Sequence, residues 1–244
     1  MEILIWLFVL AFGASFGAFA NVLIYRIPRN LSIFIPNSFC PKCKTPLSWS
    51  DKIPLFSFLL LKTKCRYCNS RIPTFYFLSE LFGGLLALFC YAYFFTTPSA
   101  LALFFLVLVF YALSAIDVHF LAIPDSLNFL ALALSLIFAF FYYNELWISC
   151  IICLSFIGFA TFLRLFVSFL VGKETLGEGD LLLFGTIGCA LGVFYGAMAI
   201  FISALYALVF LLVMRLFWGY KNIAIPFIPF LFLGFLSAFA WQIV

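Results

Sequence analysis

Two pairs of cysteines and four carboxylates carry most of the chemistry open to this chain. Cys40-Pro-Lys-Cys43 and Cys65-Arg-Tyr-Cys68 are Cys-x-x-Cys knuckles separated by 21 residues, a spacing suited to tetrahedral coordination of zinc by four thiolates. Two disulfides would use the same residues, but the basic segment around them predicts a cytoplasmic, reducing setting that disfavours disulfides. Four thiolates close the coordination shell and leave no position for an activated water, so the expected zinc is structural. A module of about 50 residues with few apolar runs also needs such a staple to fold. Cys150 and Cys153 repeat the spacing inside an apolar run and, like Cys90 and Cys189, read as small buried hydrophobes.

Among nine acids, those inside apolar segments are costly and for that reason informative. Asp117 closes one apolar run, Asp125 follows Ile123-Pro124 at the start of the next, Asp180 ends Gly177-Glu178-Gly179-Asp180, and Glu80 sits early in another. Two aspartates on different helices at one depth can share a proton, one activating water as a base and the other protonating a carbonyl. Like charges at close range drive the two ionisations apart and so assign the roles. The glycines before Asp180 allow the backbone to unwind and a substrate strand to approach. Simpler roles compete. Asp125 after Ile-Pro reads as a helix N-cap, and Asp117 and Asp180 would be solvated or capping if each stood alone. Glu178 is expected in an exposed loop, Glu2, Glu145 and Glu174 in water, and His119 at an interface.

The elements that must hold these residues follow from composition. The chain has 244 residues, 67% hydrophobic and 9% charged, with 37 Phe and a net charge of +4. That excludes a water-soluble surface, a disordered scaffold and a nucleic-acid module, which would need a basic stripe. Continuous apolar runs exclude a transmembrane barrel. The expected fold is an all-α polytopic membrane protein of about eight transmembrane helices. Nine of thirteen Lys/Arg fall between Arg26 and Arg71 against one acid, Asp51, which places that segment in the cytoplasm. The layout is a first helix over 1–25, retained because no basic residue precedes it, a cytoplasmic zinc module over 26–75, and about seven helices over 76–244. Counting outward, spans are expected near 3–25, 76–95, 100–118, 126–143 and 147–170. Two more share 181–218 with a turn near Gly192–Gly196, and the last covers 226–244. Lys173, Arg215 and Lys221 then fall at inner ends, and Arg164 snorkels toward one.

The motifs together resemble the bacterial type IV prepilin peptidases, also called leader peptidase/N-methyltransferases, a family of GxGD-type aspartic proteases. The resemblance covers nearly the whole chain. Gly17 through Pro28 is similar to the family's opening motif, and Cys40–Cys43, Ser48–Pro54 and Cys65–Cys68 to its zinc loop. Asp117 with Ile123-Pro124-Asp125, Gly177–Asp180 and Ile225–Leu231 follow in the family's order. Phe75-Tyr76-Phe77 stands where the family has Arg-Tyr-Pro, Leu182 where it has lysine, and Ile228 where it has glycine.

By this resemblance Asp117 and Asp180 are the catalytic pair. The substrates are prepilins and pseudopilins, whose short basic leader is cut after a glycine at the cytoplasmic face of the bacterial inner membrane. The new N-terminal residue is then methylated from S-adenosylmethionine. For that cofactor, Tyr76 and Glu80, four apart on one helix face, offer an aromatic face and a carboxylate to a sulfonium, whereas the simpler role of Glu80 is that of a buried acid paired with Arg71 or another inner-end base. Membrane lipid is the other expected partner, with no nucleic acid. A transporter lacks support because the acids gather at one membrane face and no internal repeat is visible. A non-catalytic assembly factor that docks through the zinc loop is the third class.

Overall fold

The computed structural model describes residues 2–35, 37–95, 97–172, 177–218 and 225–243. Lys173, Glu174 and Lys221, expected at inner ends or in water, lie outside the described residues. Among the described residues the chain is helical with two isolated β-bridges and no longer strand. The helices are α1 (Glu2–Arg26), the short α2 (Phe56–Leu60), α3 (Thr74–Phe94), α4 (Pro98–Phe120), α5 (Asp125–Tyr143), α6 (Leu146–Val171), α7 (Glu178–Trp218) and α8 (Ile228–Ile243). Six of them are long and apolar enough to cross a bilayer, and α8 is a shorter apolar helix. The contacts divide the chain into two compact units, 1–100 and 101–244.

In the first unit α1 and α3 pack along their length, and the cysteine module is the insertion between them. The packing rests on small residues. Gly13 and Gly17 form a Gly-x-x-x-Gly step on α1, opposite Gly83 and Gly84 on α3. A Cβ on Gly13 would strike the Gly83 carbonyl, and one on Gly17 would strike the Ser79 carbonyl and stand 2.9 Å from the Glu80 Cα. In lipid there is little hydrophobic gain in joining two apolar helices, so close backbone approach has to supply the attraction.

In the second unit α7 is 41 residues long, twice what one crossing needs. It is not continuous. Gly192 has φ 77° and ψ −176°, outside helical geometry. A Cβ on Gly196 would lie 3.1 Å from the Cα of Gly188, although eight residues of unbroken helix span about 12 Å. The chain therefore doubles back at Gly192 into two arms, 178–191 and 193–218, in the interval where the turn was expected. Only a residue without Cβ takes this combination of φ and ψ without strain. Around this hairpin α5, α6 and α8 all contact α7. Phe110 of α4 meets Phe232 and Phe235 of α8, and Gly234 of α8 faces Ala199 and Ser203 of α7. Intramembrane hydroxyls are satisfied locally, as in Ser203 Oγ to the Ala199 carbonyl at 2.7 Å.

Two glycines separate packing from propensity. Gly17→Ala places a methyl against the α3 backbone and is expected to cost about 1–3 kcal/mol, visible as a lower Tm in detergent. Gly158→Ala in α6 meets nothing within 4 Å and is expected to be neutral or to stabilise by up to about 1 kcal/mol.

Candidate active site and cysteine centre

Asp117 lies in the last turn of α4 and Asp180 in the first turn of α7, and both are buried. They line one cleft of about 370 Å³ together with Leu121, Ile123, Asp125, the Gly177–Gly179 corner, Ile225 and Phe227.

Each is held by backbone donors at a helix start. Asp117 Oδ2 accepts the Ile228 N–H at 3.0 Å, at the first residue of α8. A helix N-terminus offers N–H groups with no partner inside the helix and a positive dipole end, a fitting place for a carboxylate. The 225–231 motif thus delivers the α8 N-terminus to Asp117. Asp180 Oδ2 accepts the Gly177 N–H at 3.3 Å, the backward contact that an acid at the third helical position makes to the capping residue.

The corner that carries Asp180 is fixed from two other helices. Fully buried Asn128 of α5 donates from Nδ2 to the Gly179 carbonyl at 2.8 Å. Arg164 of α6 pairs with Glu178 at 3.3 Å, which places its guanidinium beside the start of α7. Ile123 covers Gly179 so closely that a Cβ there would sit 2.7 Å from its Cδ1. Asn128 and the α8 N-terminus were not singled out from the sequence. A lone Asn in an apolar helix three residues after Asp125 was the available signal. Asp125 lines the cleft but stands inside the first turn of α5, behind Pro124, so the expected N-cap role is not the one it has.

The four cysteines converge: Cys40, Cys43, Cys65 and Cys68 place their Sγ atoms within 4.8 Å of one another. Tetrahedral zinc with Zn–S near 2.3 Å requires S–S separations of roughly 3.8 Å, and Cys40 and Cys68 lie 3.9 Å apart. The donor set fits a metal ion.

The two knuckles are copies of one turn. Lys44 N–H bonds the Cys40 carbonyl at 2.9 Å and Asn69 N–H the Cys65 carbonyl at 3.0 Å. Lys44 and Asn69 both have positive φ, 62° and 53°. Burial raises the Cys40 thiol, but hydrogen bonds from the Cys43 and Lys42 backbone outweigh it and bring it to about 6, which favours the ligating thiolate. Cys68 is lowered by Ser70. Asp51, the one acid in the module, is buried. Burial raises its carboxyl, yet the Ser48 hydrogen bonds and the Arg66 guanidinium at 2.8 Å hold it below its usual range, so it ties the middle of the loop to the second knuckle.

Glu80 is half-buried and its Oε2 accepts the Leu55 N–H at 2.7 Å. Its partner in the loop is therefore Leu55 and not Arg71. Leu55 has φ 64° and ψ −50°, and the Phe56 N–H reaches the Pro54 carbonyl at 2.7 Å. This is a tight three-residue γ-turn with positive φ, a rare conformation for a residue with a side chain. Tyr76, one turn before Glu80, is half-buried, and its electrostatic neighbours include Tyr25, Arg29 and Cys40.

Comparison with known proteins follows the same division of the chain. Residues 11–94 match the bacterial peptidase A24 N-terminal domain and residues 102–212 the type IV leader peptidase family. A protein named prepilin leader peptidase/N-methyltransferase from Klebsiella pneumoniae is 35% identical over 199 residues, 76% of this chain and 84% of the relative. Proteins of the same name from Vibrio cholerae and Bacillus subtilis are 29% and 31% identical. They cover 91% and 94% of this chain, and 91% and 92% of their own lengths. No solved structure matched. With its buried acid pair, its four-cysteine centre and relatives aligned over most of their length, the chain belongs to the type IV leader peptidase family.

Proposed function

We propose that this chain is a membrane-embedded aspartic endopeptidase that removes the basic leader of prepilins and pseudopilins after a glycine. It then methylates the new N-terminus. The carrying observation is the convergence of Asp117 and Asp180, from helices 63 positions apart in sequence, on one cleft. With one proton held between the pair, the ionised aspartate takes a proton from water as the oxygen attacks the scissile carbonyl carbon, while the other donates to the carbonyl oxygen. On collapse the C–N bond breaks and the amide nitrogen takes the proton, leaving a free amine and a carboxylate. Asn128 and the α8 N-terminus are positioning groups, holding Gly179 and Asp117.

Eight crossings agree with the reversal at Gly192 and with α8 as a short final span. On this reading residues 117–125, 177–180 and 225–228 share the inner end and the cysteine module lies on the cytoplasmic side of the inner membrane, supported by the excess of basic residues in 26–71. The four-thiolate donor set fits zinc in a closed, structural role.

S-adenosylmethionine, when bound, supplies an electrophilic methyl group to the new amine. A half-buried carboxylate one turn from a tyrosine is a donor set that fits a sulfonium, and on this reading Glu80 and Tyr76 hold its charge. The 2.7 Å contact to Leu55 favours a second reading, in which Glu80 acts through the loop.

Three outcomes test these roles. Asp117→Asn and Asp180→Asn are each expected to lower cleavage of a synthetic leader peptide by about 10²–10⁴-fold with an unchanged melting profile, and near-normal turnover in either would refute the pair. Purified protein should contain one zinc per chain by elemental analysis. Cys40→Ser or Cys65→Ser should release it and open residues 26–73 to limited proteolysis, with the membrane helices still folded. Glu80→Gln keeps an oxygen for the Leu55 N–H but removes the charge. If the carboxylate serves the methyl donor, this variant should lose methylation by mass spectrometry while cleavage persists. Normal methylation in Glu80→Gln, with both activities lost in Glu80→Ala, would leave Glu80 as a clamp only.

A further inference from the structure

The short helix α2 has an apolar face that the module does not cover. Phe56, Leu59 and Leu60 stand at i, i+3 and i+4, so they share one face, and they are 66%, 64% and 77% exposed. The opposite side is fastened to α3: Phe58 stacks on Phe77 with ring centroids 5.0 Å apart, and the Leu55 N–H at the start of α2 bonds Glu80. These two anchor points fix the depth of α2. The 21 residues of α3 are about 31 Å long, just enough to cross a hydrocarbon core of about 30 Å. Phe77 and Glu80 lie roughly 4.5 and 9 Å along it from its first residue. A helix bolted at that level is beside lipid, not above it.

The surroundings suit that depth. Lys52 precedes α2 and lies over the Trp49 ring at 5.3 Å, and Lys62 and Lys64 follow it. A short apolar face flanked by lysines and a tryptophan has the composition of an interfacial segment. The nine-to-one excess of basic over acidic residues in 26–71 complements anionic headgroups. It also repels a basic peptide leader, which argues against substrate as the occupant.

We propose that α2 is an in-plane membrane anchor: Phe56, Leu59 and Leu60 enter the boundary between headgroups and acyl chains, and Lys52, Lys62 and Lys64 meet lipid phosphates. The cysteine module is thereby held against the bilayer by a third attachment, besides its covalent links to α1 and α3. The inference stands whether or not Asp117 and Asp180 are the cleaving pair, and its test reads lipid contact alone.

Full-length protein carrying Phe56→p-benzoylphenylalanine, Leu59→p-benzoylphenylalanine or Leu60→p-benzoylphenylalanine is reconstituted in vesicles of phosphatidylcholine and phosphatidylglycerol and illuminated. Intact-mass spectrometry should show adducts of one lipid at all three positions, several-fold above those from Phe58→p-benzoylphenylalanine, with zinc content retained as the check on folding. In a second arm, Lys52→Gln/Lys62→Gln/Lys64→Gln should remove any preference for phosphatidylglycerol over phosphatidylcholine adducts. Lipid adducts no stronger than at position 58, crosslinks to another part of this chain, or crosslinks only to an added prepilin peptide would each overturn the proposal.

Discussion

A carboxylate placed within a bilayer needs hydrogen-bond donors that lipid cannot supply, and the backbone offers uncommitted donors only where a helix begins. This constraint organises the second unit. Asp117 is met by the first N–H of α8, Asp180 by the N–H of Gly177 at the start of α7, and Asp125 opens α5. A cleft of this kind cannot be built in the middle of straight helices. It requires several helix ends at one level, and so a chain that reverses often, with each reversal next to the acid it serves. The loop from Leu121 to Pro124 and the corner at Gly177–Gly179 are parts of the cleft as much as connections.

Bringing helix ends together requires helices that approach closely, and here small residues do what hydrophobic burial does in water. The glycine contacts between α1 and α3 and Gly234 against Ala199 and Ser203 run up against neighbouring backbone, and Gly188 leaves room for the Phe156 ring. The reversal at Gly192 is the same economy in another form: a single residue of positive φ makes two helices from a 41-residue run and returns the chain to the cleft side. Buried Asn128 adds a directional bond where shape alone would leave the Gly179 carbonyl unpaired.

Much of this was legible in the amino-acid sequence, for reasons that differ by element. The cysteine centre was readable because ligand spacing is nearly a geometric specification, and the four Sγ atoms do gather. The convergence of Asp117 and Asp180 was readable because positive-inside counting places both at one membrane face. The turn near Gly192 was visible as an apolar run too long for one crossing. The contacts of Glu80 and Asp117 were not legible, because their partners are backbone N–H groups 25 and 111 positions away. Backbone donors leave no mark in side-chain pattern. The N-cap expectation at Asp125 failed for a local reason: Pro124 takes the position before the helix and moves the acid into its first turn.

The Glu80–Leu55 contact shows how the two halves of the first unit are joined. A non-glycine residue in a sparsely populated backbone region costs of order 1–3 kcal/mol, and a hydrogen bond from a carboxylate to a backbone N–H returns about 1.5–3 kcal/mol. The terms nearly cancel, so the turn at Leu55 persists because Glu80 holds it. Its orientation in turn decides that Phe58 reaches Phe77 while Phe56, Leu59 and Leu60 turn outward. One acid near the N-terminal end of α3 thus sets the posture of a loop whose two ends are already tied by the knuckles. A mutation at Glu80 therefore acts on the module and on any chemistry beside it together, unless the replacement keeps the acceptor.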